Sequence, residues 1–131
     1  MAAAASLRRA VHASAMARVL INEPHVDVRA LLTFVVRRLG HEPVLADGSL
    51  DQLLGADAYV FEPGHDAALA LAAWARQHAP RVALLCASIF PPGHATDALE
   101  PDAYLVKPFP LEQLERALIE ALGERMATAV G

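Results

Sequence analysis

Four short segments hold most of the side chains with chemical reach: Asn22-Glu23-Pro24-His25, Glu62-Pro63-Gly64-His65, Cys86-Ala87-Ser88 and Lys107-Pro108. Between them they supply carboxylates, imidazoles, a thiol and one ammonium. Two chemistries suit that set. A carboxylate such as Glu62 can pair with Lys107 and form a fixed ion pair. Alternatively, Glu23, His25, Glu62, His65, Cys86 and His94 offer the donor types that zinc or another transition metal takes. Their spacing matches no known ligand motif, and Glu23, Glu62, His25 and His65 are the candidates that remain. No nucleophile–base pair is visible, so no enzymatic activity is expected. Neither a Walker lysine loop nor a dinucleotide fingerprint occurs. Cys86, the one cysteine, can form neither an internal disulfide nor a zinc ribbon. It reads as a small apolar core residue, with a redox-sensing thiol as the rival reading.

These residues need elements to position them. Arg18-Val19-Leu20-Ile21-Asn22 is an apolar run of strand length. Val28, Leu31, Leu32, Val35, Val36 and Leu39 then follow helical spacing, with Gly40 where a C-terminal cap belongs. Pro43 to Ala46 reads as a second strand. Ser49-Leu50-Asp51-Gln52 reads as a capping box opening a short helix that Gly55 ends. Ala58 to Phe61, Val82 to Cys86 and Ala103 to Val106 are three further strands. Ala67 to His78 is a helix that Pro80 stops. The last helix opens at Pro110 with Leu111, Leu114, Leu118 and Leu122 as its buried stripe, and Gly123 either ends or weakens it. Pro91, Pro92, Gly93 and Pro101 leave room for only a short helix between the fourth and fifth strands. Strands alternating with helices imply an α/β fold: a doubly wound, five-stranded parallel sheet with helices on both faces, of flavodoxin-like type. Ligands of such sheets bind at the carboxyl ends of the strands, where the four segments fall.

The chain has 131 residues, enough for one domain with its own core. Residues 1–15, rich in Ala and Ser with Arg8, Arg9 and His12, read as a flexible tail. The folded domain is expected over 16–131. A net charge of −4 leaves no basic footprint for nucleic acid, and an aromatic content of 5% leaves no stacking platform for single strands. No apolar run approaches the roughly 20 residues that span a bilayer. A lone cysteine fits a reducing cytoplasm, the expected location.

At this point the chain resembles a bacterial response-regulator receiver domain of two-component signalling. The resemblance covers about Ala17 to Gly123. Arg18 to Ile21, Val28 to Leu32 and Leu39-Gly40-His41-Glu42 follow the family's opening. Asp102-Ala103-Tyr104-Leu105-Val106-Lys107-Pro108-Phe109 matches its closing signature. What the resemblance implies is specific. Two acidic residues after the first strand help hold Mg²⁺, and an Asp ending the third strand accepts a phosphoryl group from a histidine kinase. A Thr or Ser ending the fourth strand, the fifth-strand Lys and a nearby aromatic sense the product. In this chain Glu23 takes the first acidic position and Pro24 the second. Glu62 stands at the phosphoacceptor position, and Cys86 replaces the hydroxyl residue. Tyr104 and Lys107 remain, with Pro108 implied to follow a cis bond.

These departures point to a pseudo-receiver that has lost phosphotransfer. No cofactor is expected. Mg²⁺ is implied by the family, but Pro24 removes one of its anionic ligands. Glu62 is a methylene longer than Asp and reaches toward Lys107. The expected partner is a protein: a signalling protein, a histidine kinase, or a second copy in a homodimer. The contact surface implied is the face of the fourth helix, fifth strand and fifth helix, near Ala95 to Glu100, Tyr104 and Leu111 to Arg125. Two alternatives stand beside this reading. One is a working phosphoryl-accepting receiver. The other is a small protein that binds a transition metal or small ligand at the carboxyl edge of the sheet.

Overall fold

The computed structural model describes residues 16–130, with side chains through residue 123. The expectations for residues 1–15 lie outside the described residues. Among the described residues ten elements alternate: β1 (Arg18–Asn22), α1 (Val26–Arg38), β2 (Glu42–Leu45), α2 (Leu50–Leu54), β3 (Ala58–Phe61), α3 (Asp66–His78), β4 (Ala83–Ser88), α4 (His94–Asp97), β5 (Ala103–Val106) and α5 (Leu111–Val130). The strands pair in parallel in the order β2-β1-β3-β4-β5. This is the expected five-stranded doubly wound sheet. The chain reverses direction across the sheet between β1 and β3, so a crevice opens at their carboxyl ends.

Side-chain alternation along each strand sorts the core into two layers. Val19, Ile21, Val60, Leu85 and Leu105 point to one face, against Leu32, Val35 and Val36 of α1 and Leu114, Leu118 and Leu122 of α5. Leu20, Tyr59, Phe61, Leu84 and Cys86 point to the other, against Leu53 of α2 and Ala68, Ala72 and Ala75 of α3. The alanines of α3 let that helix approach the stacked Tyr59 and Phe61 rings, whose centroids lie 4.8 Å apart. The Tyr59 hydroxyl accepts from Asn22 Nδ2 at 2.9 Å and donates to the Ala68 carbonyl at 3.1 Å. Burial pushes its phenol up to about 12, so it stays neutral.

Two local details differ from the sequence reading, and a third decides between the two roles left open for Gly123. Ser49 caps α2 without a side-chain bond. The Asp47 carboxylate takes the Ser49 amide at 2.9 Å, and Gln52 reaches past it to the Asp47 amide at 2.8 Å. The capping box therefore gives way to a loop held by Asp47 and Gln52. Strand β4 runs two residues beyond Cys86, because the Ser88 carbonyl accepts the Lys107 amide at 2.7 Å. Helix α5 continues through Gly123 to Val130. At the end of α1, Gly40 takes a φ of 86°, the left-handed conformation that glycine adopts at little cost. No helix among the described residues is long and apolar enough to cross a membrane.

Candidate functional site

The carboxyl ends of β1, β3 and β5 deliver Glu23, Glu62 and Lys107 to one point. Each residue lies one position beyond its strand, where the backbone leaves the ladder and the side chain is free to turn inward. Lys107 Nζ donates to Glu23 Oε1 at 2.5 Å and stands 3.5 Å from Glu62 Oε1. The expected Glu62–Lys107 pair forms, yet the nearer partner is Glu23, which the sequence reading had assigned to an acidic pocket. The second oxygen of Glu23 accepts the His25 amide at 3.0 Å. That bond folds the chain back on itself and starts α1. Glu62 Oε2 receives the Gly64 amide at a long 3.4 Å. The three side chains are almost dry, with exposures of 1% for Glu23, 12% for Lys107 and 13% for Glu62.

A cavity of about 500 Å³ opens above them. Its remaining lining is apolar or nearly so: Pro24, Val28 and Leu31 from the start of α1, Ile89 after β4, and Pro108 and Phe109 after β5, with His25 at the rim. The Lys107–Pro108 peptide bond is cis, as the resemblance implied. The result is a charged floor under apolar walls.

A second polar group sits beside it at the end of β4. The Tyr104 hydroxyl donates to the Phe90 carbonyl at 2.8 Å, and the Ser88 hydroxyl accepts the Phe90 amide at 3.2 Å. The two bonds hold the β4–α4 loop from both sides, leaving Ile89 and Phe90 exposed at 63% and 61%. Burial raises the Tyr104 phenol above its ordinary value, helped by the nearby Cys86 and Glu62 and opposed by Ser88. The sequence reading passed over Ser88 as a site residue. Its signal was the i+2 spacing from Cys86, which puts both side chains on one face of the strand.

Cys86 is fully buried in the aromatic layer, in register with Phe61 and Tyr104. Burial, and then the charge of Glu62, push its thiol up to about 12. A thiol so placed stays protonated at neutral pH, which favours the core reading over the redox one.

The histidines do not join the carboxylates as a donor set. His25 Nδ1 accepts the Val28 amide at 3.5 Å and so caps α1, His65 takes the N-cap position of α3, and His94 opens α4. Among the described residues, no three His, Cys, Asp or Glu side chains are grouped to hold a metal ion. The three histidines take helix-start positions and Cys86 lies in the core, so the six candidates do not form one site. The donor set does not fit Mg²⁺ either. Both oxygens of Glu23 are engaged, Pro24 offers no side-chain oxygen, and the Lys107 ammonium already lies between the two carboxylates that a hard cation would need.

No family model matches the sequence, and no curated protein matches it. Solved structures do share its fold. The signal receiver domain of a putative LuxO repressor protein from Vibrio parahaemolyticus superposes with a TM-score of 0.74 at 14% identity, covering 88% of this chain and 96% of that one. The chemotaxis protein CheY4 of Vibrio cholerae gives 0.69 at 21% identity, covering 82% and 99%. A signal receiver domain of two-component signal transduction from Clostridium thermocellum gives 0.68 at 14%, covering 81% and 97%. The chain therefore has the receiver-type flavodoxin-like fold.

Proposed function

We propose that this chain is a receiver-like signalling module of the two-component type that works without phosphotransfer, through binding to another protein. The observation that carries the reading is the Lys107 ammonium, held by Glu23 at 2.5 Å and by Glu62 at 3.5 Å. Phosphoryl transfer needs a free carboxylate nucleophile and cationic neutralisation of the transferred group. On the correspondence that the resemblance implies, Glu62 is the acceptor position and Lys107 the cation. Here they already engage each other, with the metal-binding carboxylate occupied as well. Glu62 thus supplies a standing negative charge near Lys107 in place of a transient phosphoryl group. Cys86, placed at the hydroxyl position by the resemblance, is buried two residues short of the end of β4, and Ser88, which ends that strand, already accepts the Phe90 amide on its hydroxyl oxygen at 3.2 Å. Partner binding through the α4–β5–α5 face belongs to the same proposal. It is supported by Val106 and Ile119, two exposed large apolar side chains within those segments.

The test is intact mass after incubation with Mg²⁺ and acetyl phosphate. The wild type is expected to gain no phosphoryl adduct, whereas the Glu62→Asp, Pro24→Asp double variant gains one. A stable adduct on the wild type overturns the reading and makes the protein a working phosphoryl acceptor.

A further inference from the structure

We propose that the cavity at the carboxyl edge binds a small organic monocation, an ammonium carried on a compact apolar body. The inference rests on the reading above, in which neither a phosphoryl group nor Mg²⁺ claims this edge. Its floor carries two carboxylates and one ammonium, −2 against +1, leaving one negative charge. Among the described residues of the lining, Lys107 is the sole lysine or arginine. The surplus lies on Glu62, whose contacts are the longer ones: 3.5 Å to Lys107 Nζ and 3.4 Å to the Gly64 amide. Its side chain is only 13% exposed, so water compensates that charge poorly.

The walls choose among cations. Val28, Leu31, Ile89 and Phe109 offer no oxygen ligand to an inorganic ion, but they do offer contact area to hydrocarbon. The volume of about 500 Å³ lies within the range of small-molecule sites. An anion would meet the net negative floor. A neutral apolar molecule would fill the walls and leave Glu62 unanswered. An alkyl- or arylammonium satisfies both parts.

The experiment is a titration of the ¹⁵N-labelled full chain, followed by amide chemical shifts, with three probes of matched shape. These are 2-phenylethylammonium, 2-phenylethanol and 3-phenylpropionate. The ammonium is expected to saturate, to move amides around Glu23, Leu31, Glu62 and Ile89, and to bind about tenfold tighter than the alcohol. The carboxylate should bind weakest. In Glu62→Gln the ammonium and the alcohol should bind alike. In Ile89→Ser, a change at an exposed loop position, all three should weaken about fivefold while keeping their order. The proposal is overturned if the carboxylate binds as well as the ammonium, if the ammonium's shifts do not saturate, or if its preference survives Glu62→Gln. A phosphoryl adduct in the mass experiment overturns the phosphotransfer-free reading instead, and a missing amine preference leaves that mass unchanged.

Discussion

The two ends of the sheet use the same residue types to opposite effect. At the amino ends of the strands, polar side chains take backbone amides, and the ion pairs there, Arg18–Glu42 and Arg76–Asp102, are the more exposed ones. Asp57 accepts the Arg18 amide at 2.8 Å, Asp102 accepts the Leu84 amide at 2.8 Å, and His41 accepts the Ala17 amide at 3.0 Å. Each bond ties the entry of one strand to a residue preceding its neighbour and so fixes register. At the carboxyl ends, charge meets charge: Glu23, Glu62 and Lys107 pair chiefly with one another under an apolar cavity. The amino edge is therefore a structural hem, and the carboxyl edge concentrates unbalanced charge where a ligand or partner can reach it.

The sharpest way to break this contrast is Lys107→Met. It leaves Glu23, 1% exposed, without its counter-charge, and should cost about 3 kcal/mol or more in urea unfolding. The double variant Glu23→Gln, Lys107→Met should recover much of that loss. If the single change were neutral, the charged floor would not be coupled to the fold. Asp57→Ala at the opposite edge should cost less, about 1–2 kcal/mol for one orphaned amide, and should leave the amine titration unchanged. A shift in that titration would show that the two ends are not independent.

The smallest effect concerns His41. Burial, opposed by the nearby Asp57 charge, lowers its imidazole below the usual 6.5. The folded state thus binds fewer protons than the unfolded one as pH falls below 6.5. The contribution is complete above that value and is lost as pH drops through the folded value. The urea midpoint should decline from neutral pH to about 5 in the wild type, and His41→Gln should flatten the decline. An equal slope in both proteins would remove His41 from the account.

Much of the fold is legible in one dimension, because buried strands in a parallel sheet read as apolar runs and helices carry their stripe at helical spacing. The α1 stripe shows the limit of that reading. Leu32, Val35 and Val36 are buried as the spacing predicts, but Leu31 is 37% exposed and faces the cavity. The periodicity names a face without saying where the helix overhangs the sheet. Ser88 was missed for a related reason: the length of β4 is set by its pairing with Lys107, 19 residues later, and not by its own hydrophobicity.

The order of elements, the two-faced sheet and the convergence of Glu23, Glu62 and Lys107 on its carboxyl edge are readable from the chain alone. All three follow from local patterning and from the rule that parallel strands share one direction. The tertiary structure alone decided which carboxylate holds the ammonium, that the histidines go to helix starts and not to a metal, and that Pro24 and Ile89 wall a cavity. Those outcomes turn on ångström differences between loop ends as far apart in the chain as Glu23 and Lys107, 84 residues. Charge pairing falls steeply with distance in a dry site, and no spacing along the chain encodes it.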